Sequence, residues 1–133
     1  DISGWDTSEV TNMQQVFQSA SAFNQDISSW DVGKVTTFNY MFFHASSFNQ
    51  DLSCWGVASG NVGNMFRSSA MSQTLCWTVT EGSKMFKGSP CEDISCLDAT
   101  CTATGCDAGG DDAGCCDGCT PAEYIDAQCC NCV

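Results

Sequence analysis

Apolar residues recur along this chain in columns rather than in one continuous run. Tryptophans stand at 5, 30, 55 and 77. Thr7, Val32, Val57 and Val79 each follow two residues later, the alternation of a short strand with both side chains on one face. Met13, Val16, Phe17 and Ala20 come next, at helical spacing. The same face recurs as Phe38, Met41, Phe42 and Ala45, then as Val62, Met65 and Phe66, and last as Met85 and Phe86. Thr11, Thr36 and Asn61 occupy the expected N-cap positions. Phe23, Phe48 and Met71 turn the chain inward again, and Ile2, Ile27, Leu52 and Leu75 close each unit.

Each unit therefore predicts one strand, one short helix and a return. The units are DISGWDTSEVTNMQQVFQSASAFNQ, DISSWDVGKVTTFNYMFFHASSFNQ, the shorter DLSCWGVASGNVGNMFRSSAMSQ and the truncated TLCWTVTEGSKMFKGSP. No unit can bury its apolar face alone, so stacking is required. The predicted fold is an α/β solenoid of about four right-handed coils with a short parallel sheet, over residues 1–90. A cysteine-rich acidic cap follows over 91–133. Asn24 aligns with Asn49, and Gln25 with Gln50 and Gln73, which predicts hydrogen bonding from coil to coil. The chain enters at Asp1 in mid-repeat, so further coils or a targeting segment are expected upstream.

The pattern FNQDISSWDV, then VT, MF and ASSFNQ, resembles the BspA-like leucine-rich-repeat family. More closely, it resembles the 25-residue surface repeat of mycoplasma lipoproteins, also found in protists and algae. The resemblance covers residues 1 to about 90. It is weaker in the third unit, where Gly56 replaces the aspartate. It implies a leucine-rich-repeat-like solenoid on surface or secreted proteins, and it brings no catalytic residue.

Composition changes the picture near Ser89. Ten of the twelve cysteines lie beyond it, at 91, 96, 101, 106, 115, 116, 119, 129, 130 and 132. Such density in a short chain indicates a disulfide scaffold and an oxidising compartment: secreted, cell-surface or organelle-lumen. Zinc fits less well, because spaced pairs of C-x-x-C knuckles are missing. TPAE at 120–123 is a capping box that predicts a short helix to about Cys129. Asp107, Asp111, Asp112 and Asp117 are the candidate calcium ligands, but their spacing fails the EF-hand loop. A bridge between Cys54 and Cys76 is expected, since each immediately precedes a repeat tryptophan in adjacent coils. Neighbouring strands lie about 4.8 Å apart, within the Cα range of roughly 4.4–6.8 Å that a disulfide spans.

The net charge is −12, with only Lys34, Arg67, Lys84 and Lys87 basic. That disfavours nucleic acid and anionic membrane surfaces, and no apolar run is long enough to insert in a bilayer. His44, the single histidine, falls on the polar side of its segment and predicts a solvated side chain rather than a catalytic base. Asp6 aligns with Asp31 and Asp26 with Asp51, but aligned acids in a repeat suit turn hydrogen bonding better than acid–base chemistry. No catalytic, cofactor or phosphate-binding constellation emerges. The sequence predicts a non-catalytic extracytoplasmic interaction module with a protein or glycan partner. The alternatives are a structural subunit docked in a larger assembly and a calcium-dependent binding protein.

Overall fold

The computed structural model describes residues 1–57, 61–77, 79, 84–92 and 95–98. Within them, successive repeats lie against one another in parallel register. Isolated parallel bridges join Asn12 to Thr37, Thr37 to Asn61, and Leu75 to Leu97.

The tryptophans hold the repeats together through their polar edge. The indole Nε1–H of Trp30 donates to the Ile2 carbonyl at 3.1 Å. Trp55 donates to Ile27 at 3.2 Å and Trp77 to Leu52 at 3.0 Å. Each ring is thus buried apolar surface whose single donor finds a carbonyl one repeat back, as a buried indole requires.

The segments expected to be helices are chains of turns. In the second repeat the N–H groups of Phe38, Tyr40, Phe42 and His44 donate to the carbonyls of Asn61, Gly63, Met65 and Arg67, at 2.7–3.0 Å. The intervening N–H groups of Met41, Phe43 and Ala45 close turns onto Phe38, Tyr40 and Phe42, at 3.0–3.2 Å. Met13, Gln15, Phe17 and Ser19 bond to the second repeat in the same way. The described residues contain no α-helix and no strand longer than a bridge, and the bridges fall at Asn12, Thr37 and Asn61 and at Leu75 and Leu97, not on the tryptophans themselves. Pitch explains the correction. Phe17, Phe42, Phe66 and Phe86 stack with centroids 5.6, 5.5 and 5.4 Å apart. An α-helix with its side chains is about 10 Å wide and cannot repeat at that spacing. It would also spend the N–H groups beyond its first turn internally, leaving none of those for the neighbouring repeat.

The turns carry a conformational cost. Gln15, Tyr40 and Asn64 form one column at φ 55–63°, and Ser19, His44 and Ser68 a second at 56–59°. They occupy the third position of successive turns, where a type II turn requires positive φ. Only Asn64 and Gly88, at φ 73° in the second column, are residue types suited to it.

The core is the set of inward columns. Ile27, Phe42, Phe48, Leu52, Met65, Phe66, Met71, Leu75 and Phe86 have no accessible surface. Phe17 and Phe23 of the first repeat are only partly buried, while Trp5 is 61% and Val16 51% exposed. Within a repeat, Phe42 stacks on Phe48 at 3.8 Å and Phe17 on Phe23 at the same distance.

Two serines absorb the shortening of the later repeats. Ala45 leads to Phe48 through a four-residue turn closed by Phe48 N–H on the Ala45 carbonyl. The third repeat has one residue fewer there, and Ser69 stands for the alanine. Its hydroxyl donates to the Phe66 carbonyl at 2.7 Å and accepts from Met71 N–H at 3.2 Å. Ser89 does the same between Phe86 and Cys91. Cys91 thereby takes the place of Phe23, Phe48 and Met71, and it is fully buried. It is bonded to Cys96, with Cα atoms 5.4 Å apart. Leu97 continues the Ile2, Ile27, Leu52 and Leu75 column, with Leu75 N–H donating to the Cys96 carbonyl and Asp98 N–H to Leu75.

Ser19→Gly should relieve the left-handed strain at an exposed position whose fourth-repeat equivalent is already glycine. Relief of about 1–2 kcal/mol, less an unfolded-chain entropy cost of about 0.5–1 kcal/mol, leaves a net gain. The urea midpoint should rise at constant slope; a fall would mean that the serine side chain contributes more than its backbone strain removes.

Candidate interaction surface

Most polar side chains of the repeat serve the fold. Asp1, Asp6, Asp26, Asp31 and Asp51 each accept from the backbone N–H two residues on, at 2.9–3.1 Å. These are Asx turns, and they account for the aligned acids of the sequence. The Ser8 hydroxyl, and secondly its N–H, hold the Asp6 carboxyl below its ordinary pKa. At Asp26 the order is reversed: the Ser28 N–H leads and the hydroxyl follows. Asn24 Oδ1 accepts from Asn49 N–H and from the Gln50 amide, both at 2.9 Å. Asn49 in turn bonds Ser72 through both ends of its amide. The expected amide ladder is therefore present in the asparagine column.

Among the described residues, charge is segregated by column. Lys34 and Glu9, in one column, form an ion pair with side chains 56% and 84% exposed. Chiefly through its hydrogen bond to Glu9, Lys34 has a raised pKa. An exposed pair of this kind adds little stability, but it neutralises that cation. The other three basic residues lie on the turn segments 14–19, 39–44, 63–68 and 84–88, which contain no acid. Arg67 and Lys87 share the column of Gln18 and Phe43, while Lys84 shares that of Gln15, Tyr40 and Asn64. None of the three has a carboxylate partner among the described residues.

An aromatic cluster occupies the same face. Tyr40 meets Phe43 edge-on at 5.5 Å, and Phe43 meets His44 edge-on at 4.1 Å. The Arg67 guanidinium sits 5.7 Å from the Phe43 centroid and donates to Asn64 Oδ1 at 3.3 Å. A cation over a ring face is attracted by its quadrupole, so Arg67 is held in place with donors to spare. Tyr40 and Phe43 are half-buried and His44 is exposed, as the sequence anticipated for the histidine. Tyr40, Phe43 and Arg67 were not singled out by sequence reasoning. Their signal was departure from the repeat: the first repeat has Gln15, Gln18 and Ser19 where the second has Tyr40, Phe43 and His44.

Cys54 and Cys76 are both disulfide-bonded. Neighbouring bonds bring their surroundings together, since Ser53 Oγ donates to the Thr74 carbonyl at 2.9 Å and Trp77 Nε1 to Leu52. The calcium candidates Asp107, Asp111, Asp112 and Asp117, the remaining tail cysteines and the helix expected after Thr120 lie outside the described residues. Among the described residues, no group of three or more His, Cys, Asp or Glu side chains is placed to hold a metal ion, and no helix is long and apolar enough to cross a membrane.

A model of the family described as "Mycoplasma protein of unknown function, DUF285" matches residues 1–94. No curated protein and no solved structure matches the chain.

Two outcomes are expected from these contacts. Ser8→Ala should raise the Asp6 pKa further than Ser28→Ala raises that of Asp26, because the hydroxyl leads only at Asp6. Both aspartates have depressed folded-state values. Their contribution is present above the unfolded carboxylate pKa and is lost as pH falls through the folded one. Carboxyl NMR titration of the two variants checks the order, and equal shifts would contradict it. Separately, non-reducing peptide mapping should recover Cys54 linked to Cys76. A link from either to a tail cysteine would break the repeat register assigned across residues 52–77.

Proposed function

The chain belongs to the BspA-like, leucine-rich-repeat-type family of mycoplasma surface repeats, and we propose that it is a non-catalytic interaction module displayed outside the cytoplasm. On this reading the repeats form a right-handed solenoid, and its outward turn face meets a protein or glycan partner.

The observation that carries the reading is the division of labour among the polar residues. The aligned aspartates are committed to turns and the asparagines to a ladder between repeats. What remains displayed is a face of amides, aromatic rings and cations without a carboxylate partner among the described residues, the composition of a recognition surface rather than a reaction centre. The Cys91–Cys96 bridge, with Cys54 and Cys76 also oxidised, supports an oxidising compartment.

The full chain, prepared oxidised, should behave as a stable monomer in light scattering. It should bind saturably to members of a panel of extracellular proteins and polysaccharides. A chain that stays soluble only when co-purified with another subunit would replace this reading with that of a structural component.

A further inference from the structure

We infer that the turn face bearing Tyr40, Phe43, Arg67, Lys84 and Lys87 is a binding site for an anionic polysaccharide. The inference rests on the interaction reading above and names its partner class.

Charge provides the first argument. None of the described acids Asp1, Asp6, Glu9, Asp26, Asp31, Asp51, Glu92 and Asp98 falls in the turn segments that carry this face. In a chain of net charge −12, three of the four cations are nevertheless gathered on it, and the fourth is paired with Glu9. An anionic ligand is drawn to this face and repelled by the others.

Chemistry provides the second. Gln15, Gln18 and Asn64 offer amides that both donate to and accept from hydroxyls. Tyr40 and Phe43 offer aromatic surface on which the C–H face of a sugar ring stacks, since the ring face is electron-rich. Arg67 is already oriented by Phe43 and Asn64, so little ordering entropy is lost when its fork meets a carboxylate or sulfate.

Pitch provides the third and separates a sugar chain from an acidic peptide. The repeats advance by 5.4–5.6 Å, as their stacked phenylalanines show. Same-side residues of an extended peptide lie about 6.6 Å apart, so successive carboxylates drift out of step with Phe43, Arg67 and Lys87. A sugar unit is close to one repeat in length and keeps the register.

The test is affinity electrophoresis of the full oxidised chain in gels containing alginate, dextran sulfate, neutral dextran or poly-glutamate. Alginate or dextran sulfate should retard the chain, and retardation should weaken with salt. The double variant Arg67→Ala/Lys87→Ala should lower affinity by about tenfold or more, and Phe43→Ala should lower it as well. Lys34→Ala, which removes only the paired cation, should leave binding unchanged, and unaltered thermal unfolding of each variant excludes misfolding. Four results would overturn the assignment: no retardation by either polyanion, equal retardation by neutral dextran, stronger retardation by poly-glutamate, or equal loss in Lys34→Ala. The last three leave an interaction module with another partner or face. Saturable binding to an extracellular protein without polyanion retardation would likewise sink this assignment and spare the broader one.

Discussion

Everything in the structure follows from how the backbone N–H groups are shared. In each turn segment they alternate, one to the next repeat and one to the repeat's own turn. From Phe38 to Ala45 the N–H of every even-numbered residue reaches a carbonyl of the third repeat, and those of Met41, Phe43 and Ala45 stay at home. Buried backbone groups must find partners, and this division satisfies them without a helix or a sheet. It sets the repeats at the spacing of stacked aromatic rings. That spacing makes a phenylalanine column possible and places each indole within reach of a carbonyl one repeat back. The left-handed residues are the geometric cost of the same arrangement, since the chain must reverse at each turn to present its next outward N–H.

The columns were legible in the sequence because repetition exposes them: every tryptophan, phenylalanine and asparagine column identified from spacing has a structural role. The helix was not legible. Phe38, Met41, Phe42 and Ala45 are three or four residues apart whether they line a helix or the inside of a chain of tight turns. Periodicity therefore could not tell the two apart. Propensity held a hint, since Thr37, Asn39, Tyr40, Phe43 and His44 are all mediocre helix formers. The positive φ values were hidden for another reason. Glycine marks only the second column, at Gly88, while Gln15, Ser19 and Tyr40 are residue types that ordinarily avoid positive φ. The interaction face was the least visible part, because it consists of departures from the pattern that made the rest readable.

That contrast bears on how such a chain diverges. A residue in an inward column is constrained by its neighbours above and below; Phe42 touches Phe17, Phe48 and Phe66 at once. A residue on the outward side of a turn answers only to φ and to solvent. Gln15, Tyr40, Asn64 and Lys84 share one column, yet they range from amide to phenol to ammonium. Recognition properties can change there without disturbing the core, which is the usual relation between a scaffold and the site it carries.

The end of the repeats shows how the scaffold is closed as this logic runs out. The return column shrinks from Phe23 and Phe48 to Met71 and then Cys91, and the intervals fall from 25 to 23 to 20 residues. Each step removes aromatic contact, and the last repeat has no return ring to stack. Ser69 and Ser89 mend the backbone by replacing a missing peptide group with a hydroxyl, but a hydroxyl restores no packing. Covalent bonds appear at this point. Closing a loop as short as Cys91–Cys96 removes about 2 kcal/mol of unfolded-chain entropy in the loop-closure account, comparable to the about 1.5–3 kcal/mol gained by burying one phenylalanine. The buried Cys91 sulfur lies 3.1 Å from the Met71 carbonyl oxygen, in the return column where a larger side chain stands in the earlier repeats. The disulfide therefore substitutes for the stacking interaction at the position where stacking ends. The cysteine-rich composition and the aromatic repeat are two solutions to one problem of closing a thin core.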